Sequence, residues 1–283
     1  MSAPTIVVLG SVNLDIVAAA PRLPVAGETV TDASLNRYPG GKGANQALAA
    51  RRLGADVQLV ARVGDDSTAD EALSLLRADG VDLQHCQRDD ATPTGIALIA
   101  VAPSGENQIV VAPGANRTLL PDQMQVPEGD GLICQLEVPA DSVAKAAIEF
   151  PGFVCVNLAP AMQVPVEVLQ NADLIVVNET EAAYYGSSLS AAGGMIATTF
   201  GARGAELRDG DQVLANTLPP EVNAIDATGA GDTFTAALTV ALLENVNPQR
   251  ALQFACTAAA LSTTVAGAQT SLPYRRDVDA VAI

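Results

Sequence analysis

Asp232 closes a short glycine-rich turn, Asp226-Ala227-Thr228-Gly229-Ala230-Gly231-Asp232, which runs straight into an apolar helical stretch from Thr233 to Leu243. Small residues ahead of a helix leave backbone N–H groups bare, and the helix start adds roughly half a positive charge there. Such a cradle suits an anion, most often a phosphate. The carboxylate beside it is a proton acceptor. Together they fit phosphoryl transfer to a hydroxyl, with Gly229, Ala230 and Gly231 stabilising the moving charge and Asp232 taking the proton. The competing reading is a tight strand-to-helix connection, with Asp232 a helix-starting carboxylate worth only about 1 kcal/mol of stability. The turn is not a Walker A loop, because Lys-Ser/Thr is missing, and its glycine spacing is not that of a dinucleotide fingerprint.

A second glycine-rich segment, Gly40-Gly41-Lys42-Gly43-Ala44-Asn45-Gln46-Ala47, opens another helix that ends at Gly54. It carries one of the only two lysines in the chain, Lys42, the other being Lys145. Upstream, Ile6 to Leu9 reads as a buried strand running into Gly10-Ser11-Val12-Asn13-Leu14-Asp15. Open α/β sheets place ligands just past such strand ends. A carboxylate there, Asp15, can accept two hydrogen bonds from vicinal hydroxyls. Taken alone, Asp15 reads first as a turn residue and Asn45 first as a helix-surface polar group. The single histidine, His85, lies in the polar stretch Asp82 to Asp90 and reads as a solvated surface residue. Its scarcity excludes Ser-His-Asp and Cys-His mechanisms almost by counting, which leaves a carboxylate or one of very few other groups as the general base.

These segments together resemble the ribokinase-like (PfkB) family of sugar and nucleoside kinases. Both of its signatures are present, at 40–64 and 226–232, and the intermediate markers follow in order: Gln135-Leu136-Glu137, Asn178-Glu179-Thr180-Glu181, Thr199-Phe200-Gly201-Ala202-Arg203-Gly204 and Gly267-Ala268-Gln269. The resemblance covers nearly the whole chain, and the first two segments are similar to those of the ribokinase branch. It implies ATP-dependent phosphorylation of D-ribose on its 5-hydroxyl. A fructokinase, deoxyribokinase or nucleoside kinase remains open, as does a sugar-binding regulator without catalysis. Sugar contacts are implied at Asn13, Asp15, Gly41, Lys42, Asn45, Glu137 and Asp232. The nucleotide is implied at Asn178, Thr199, Gly201, Arg203, Gly204, Gly231 and Cys256, with Glu181 orienting Mg2+. Asp226, the carbonyl of Thr228, the carbonyls of Ser262, Val265 and Gly267, and Ser271 are implied around K+ or another monovalent cation. Three departures stand out. The stretch between Asn178 and Thr199 is about a helix short, with altered packing and lower stability expected. Ala227 replaces a usual Thr, Ser, Val or Pro, and Cys256 stands where Asn or His often meets adenine.

Short apolar runs at Ile6–Leu9, Val57–Val63, Gly131–Leu136, Phe153–Leu158 and Leu174–Val177 alternate with helical patterns near 43–53, 67–79, 139–149 and 179–185. Near-continuous apolarity is expected of parallel strands covered on both faces. The alternation predicts one α/β domain over 1–283, a doubly wound, mostly parallel sheet with helices on both faces. Thr68-x-x-Glu71 predicts a capping box and Gly80 a stop for the second helix. Ile16–Ala20, Glu28–Leu35 and Thr94–Val111 break the alternation as extended pieces. The resemblance implies that they form a small antiparallel β lid, from segments near 14–38 and 94–112. Its Val17, Ile96, Leu98 and Val110 predict a homodimer packed lid against lid. Asp209-Gly210 predicts a hairpin over Ala205–Ala215, followed by helices at 229–244 and 248–263.

A net charge of −17 argues against nucleic acid as a partner. It also means that positive potential for ATP must come from helix starts, Arg203 and bound cations. No run of 18 apolar residues lacks a breaker, so no membrane span is expected. The first strand starts within five residues of Met1, which predicts no leader. Four widely spaced cysteines, Cys86, Cys134, Cys155 and Cys256, read as free thiols of a cytoplasmic protein.

Overall fold

The computed structural model describes residues 2–281. In chain order the elements begin β1 (Thr5–Leu9), β2 (Asn13–Ala19), β3 (Ser34–Gly40), α1 (Lys42–Arg52), β4 (Asp56–Gly64), α2 (Ser67–Ala72), α3 (Ser74–Ala78) and β5 (Cys86–Asp89). Next come β6 (Gly95–Val101), β7 (Asn107–Ala112), β8 (Gly131–Gln135), α4 (Ala140–Glu149), β9 (Phe153–Asn157), α5 (Val166–Gln170), β10 (Leu174–Asn178) and α6 (Glu179–Tyr185). The last are β11 (Met195–Thr199), β12 (Ala205–Asp209), β13 (Gln212–Thr217), α7 (Ala230–Leu243), α8 (Pro248–Ser262) and α9 (Arg275–Val281).

Nine strands form the main sheet in the order β13-β12-β11-β10-β9-β8-β1-β4-β5. From β11 to β5 all pairings are parallel, and β12 and β13 close the other edge antiparallel. Alternation along β1 explains the two layers. Ile6 and Val8 join one core with α1, α7 and α8, whereas Val7 and Leu9 join the opposite core with α4, α5 and Tyr185 of α6. Both faces of the sheet are covered, which is why these strands read as continuous apolar runs.

The second sheet has four strands in the order β3-β2-β6-β7. The sequence predicts it as antiparallel, but its central pair, β2 and β6, is parallel. The reason is topological: each is the first strand of a separate hairpin-like excursion leaving the main sheet in the same direction. Its second piece is also displaced from expectation, lying at Ser34–Gly40 rather than Glu28–Leu35. The helix expected over 67–79 is two short helices that meet at Leu73, and its cap is not Thr68. Asp66 accepts the N–H of Ala69 at 2.8 Å and also ties Thr94, so the cap doubles as an anchor for β6. Gly80 stops the segment as expected, with φ at 76°. In the shortened stretch, a 3-10 turn (Gly186–Ala191) occupies the way from α6 to β11, and its Leu189 and Ala191 pack on the core.

Candidate active site

The carboxyl ends of β1, β8, β9 and β10 meet the starts of α1, α6 and α7 at one cleft under the lid. Gly41 must precede α1 because its φ is 88° and a Cβ would strike the Asn13 nitrogen at 2.6 Å. That close approach brings the lid strand β2 against the helix that carries Lys42, Asn45 and Gln46. Gly229 plays the corresponding part for α7, with φ 80° and ψ 0° in the left-handed region.

Asp232 lies in the first turn of α7 and is 5% exposed. Its Oδ2 accepts from Asn45 Nδ2 at 2.9 Å, and its Oδ1 from Gln46 Nε2 at 3.0 Å. Burial pushes its pKa up, opposed by the Lys42 charge and by these two amides, while Glu137 pushes it further up. Lys42 is held above its ordinary value, first by Asp232 and then by Glu137 and Glu181, against the effect of burial. Ala230 is partly committed, its N–H donating to the Ala227 carbonyl at 3.2 Å. The next N–H groups of the first turn, Gly231 and Asp232, have no partner within the helix.

Asn13, Asp15, Glu137, Asn45 and Lys42 converge beside Asp232. Glu137 accepts from Ser11 Oγ at 2.5 Å and from the Lys42 N–H at 3.2 Å. Asp15, 9% exposed, has its pKa pushed up to about 7, by burial first and then by the charges of Glu137, Asp232 and Asp226. A concentration of carboxylates with few donors among them is complementary to a polyol, whose hydroxyls bring the missing protons. Sequence reasoning missed Asn116, which donates to Asn13 Oδ1 at 2.8 Å and brackets Val12 through both its N–H and its carbonyl. It missed Gln46 and Asn157 as well. The available signal was an amide pair, Asn45-Gln46, embedded in a run of alanines where a surface helix would carry charges.

Two cavities share Thr199, Ala227 and Gly231. The smaller, of about 230 Å³, contains Lys42, Asn178, Glu181, Gly229 and Asp232. The larger, of about 670 Å³, runs outward past Gly201, Gly204, Phe234 and Cys256 between the β11–β12 turn and α8. A nucleotide laid across both would put its phosphates at Gly231 and its base near Cys256. Arg203 stands apart from them: it pairs with Glu179 at 2.5 Å on the surface, with 70% of its side chain exposed.

Asn178 and Glu181 form a reciprocal capping box, with Asn178 Oδ1 taking the Glu181 N–H and Glu181 Oε2 taking the Asn178 N–H. The box fixes a carboxylate, 9% exposed, in the wall of the smaller cavity. Burial pushes the Glu181 pKa up, opposed by the Asn178 N–H and Lys42. Among the described residues no three His, Cys, Asp or Glu side chains converge as a metal site. One carboxylate completed by water and phosphate oxygens is nevertheless a usual setting for Mg2+, so these residues fit that ion.

The two loops expected around a monovalent cation do meet. Asp226 Oδ1 takes the N–H and hydroxyl of Thr228, and its Oδ2 takes the Gly267 N–H at 2.9 Å. Ile225 and Asp226 both donate to the Thr263 carbonyl, next to Ser262. Ser271 closes its own turn onto Gly267 and Ala268, and Val265 is exposed. Asp226 is therefore first a clamp between the loops. Burial works to raise its pKa, but these hydrogen bonds outweigh burial and hold it below the usual carboxylate value.

The family model described as "pfkB family carbohydrate kinase" matches residues 3–275. The chain is 37% identical to the ribokinase of Bacillus subtilis (strain 168), an alignment covering 97% of this chain and 98% of that one. It is also 37% identical to the ribokinase of Haemophilus influenzae, with 96% of each covered. Among solved structures, Thermotoga maritima ribokinase superposes with a TM-score of 0.89 at 32% identity over 98% of both chains. Arabidopsis thaliana ribokinase, solved with ribose and ATP, gives 0.89 at 29% identity over 99% of both. The order of motifs, the lid and the cleft agree with those similarities, and the chain belongs to the pfkB family of carbohydrate kinases.

Proposed function

We propose that this kinase transfers the γ-phosphoryl group of ATP to the 5-hydroxyl of D-ribose. The observation that carries the reading is the convergence of Asp15, Glu137 and Asn45 on Asp232, beside the first turn of α7. Asp15 and Glu137 accept from sugar hydroxyls and orient the ring. Asp232 removes the proton of the attacking hydroxyl as its oxygen bonds to the γ-phosphorus and the β–γ bridging bond breaks, releasing ADP. The free N–H groups around Gly231, with Lys42, face the charge on the transferring oxygens. Mg2+ held at Glu181 would neutralise phosphate charge when bound. Aromatic side chains that could stack a purine are scarce under the lid, where Tyr38 on β3 is the nearest, and this favours a plain sugar over a nucleoside. Free thiols fit a cytoplasmic setting. The test is ADP release over a panel of pentoses, hexoses and nucleosides. Ribose should give the highest kcat/KM, and a nucleoside or fructose at the top would replace the assignment.

Two further properties belong to this reading. A monovalent cation between the Asp226–Thr228 and Ser262–Ser271 loops would brace the turn that carries Gly229–Gly231 and add positive charge near it. Potassium should raise kcat several-fold over a bulky organic cation at equal ionic strength, and identical rates in the two salts would remove it. The lid carries Leu98 and Val110, paired across β6 and β7 on one face, exposed at 51% and 66%. Two lids packed together would bury them. Val110→Asp should shift the dimer to monomer in sedimentation velocity at micromolar concentration; a wild-type chain that sediments as a monomer would refute the lid interface.

A further inference from the structure

Asp232 is gripped from adjacent positions of α1 by two amides of different standing. Asn45 belongs to the implied sugar contacts, so its amide is shared with the substrate. Gln46 is fully buried, and its Nε2 reaches both Asp232 Oδ1, at 3.0 Å, and Asn157 Oδ1, at 3.3 Å. Asn157, at the end of β9, in turn donates Nδ2 to the Val176 carbonyl on β10 at 3.1 Å. A continuous line therefore runs from the backbone of the main sheet through two amides to the carboxylate. Gln46 Oε1 is buried without a partner. An apolar residue of similar shape would avoid that unfavourable arrangement, so packing alone does not explain an amide at this position.

We propose that Gln46, locked by Asn157, is a positioning residue for the phosphoryl-transfer base. It holds Asp232 Oδ1 while Asn45 turns to the sugar, and so leaves Oδ2 to receive the hydroxyl proton. A long glutamine side chain would otherwise sample several rotamers, and the Asn157 contact selects one. The inference rests on Asp232 being that base. The charged groups facing Asp232 are Lys42 on α1, Asp15 on β2, Glu137 after β8 and Glu181 on α6. Against the carboxylates among them and against burial, the Gln46 amide favours the ionised form.

The test uses the intact enzyme at saturating ATP with ribose varied, following ADP release against pH. In Gln46→Met, kcat at pH 7 should fall by about a hundred-fold, the size expected for a misplaced reacting group. The acidic limb of the kcat profile should move to higher pH while KM for ribose stays within about three-fold, since Gln46 makes no sugar contact. Asn157→Leu should move both in the same direction by less. On an Asp232→Asn background, Gln46→Met should cause no further loss. A folded Gln46→Met enzyme with an unmoved acidic limb, or losses that simply add on that background, would overturn the proposal. Should Gln46→Met fail to fold, the limb in Asn157→Leu decides in the same way. Full turnover in Asp232→Asn sinks the base assignment itself. An inactive Asp232→Asn beside a wild-type-like Gln46→Met sinks only the role of Gln46.

Discussion

Asp232→Asn should reduce kcat by roughly 10²–10⁴-fold while ribose and ATP still bind, because it removes the proton acceptor and keeps the volume. The new amide sits in the same pocket and keeps the shape but offers one acceptor where Asn45 and Gln46 both donate, so one of those two must turn its own amide oxygen towards it. The fold should not suffer, since the substitution removes a carboxylate whose charge is disfavoured by burial. Thermal melting of the variant should therefore match or exceed that of the parent, separating lost chemistry from lost structure. A variant with more than about a tenth of the parent kcat would contradict general-base catalysis, given the usual size of that effect.

The second large effect concerns Asp15. With its pKa near 7, the side chain is half protonated at neutral pH in the empty cleft. Only the ionised form accepts hydrogen bonds from the sugar at both oxygens, so KM for ribose should fall as pH rises from 6 to 8. Asp15→Ala should cost roughly 1.5–3 kcal/mol of sugar binding, the range for a hydrogen bond to a charged group, and raise KM accordingly. Asp15→Asn should flatten the pH dependence; if the slope persists in that variant, another group sets it. Stability should move the opposite way. The native state holds a proton on Asp15 that the unfolded chain releases near 3.8, so stability falls as pH rises from about 4 through 7. Asp15→Asn escapes this loss. Urea midpoints of the two proteins should coincide near pH 4 and separate by pH 8, with the variant the more stable. Equal midpoints at pH 8 would mean that Asp15 ionises freely.

How much of this was legible depended on the range of the interaction. The two glycine-rich turns were readable because the feature is local: small residues with positive φ and a helix start occupy neighbouring positions. The buried strands were readable because both faces of the sheet are covered. What escaped is set by distant partners. Thr68 looked like a cap by spacing, but Asp66 is recruited because Thr94, brought in by β6, shares its carboxylate. The lid sheet looked antiparallel because its strands come in turn-linked pairs, while the pairing between excursions is decided in three dimensions. Gln46 and Asn157 are more than a hundred residues apart in sequence, and neither announces the other. Arg203, which the motif implies at the phosphates, pairs with Glu179 on the surface, a partner the motif does not announce.

The lid is built from two insertions, residues 13–40 and 95–112, and joins the rest of the chain at only four crossings, each beside the cleft. Asn13 and Asp15 ride on the insertion side, whereas Asp232 and the turn before it belong to α7. The two sides of the cleft are therefore carried by separate stretches of chain. Exchanging the insertions for those of another family member would replace Asn13 and Asp15 and leave Asp232 and its turn where they are.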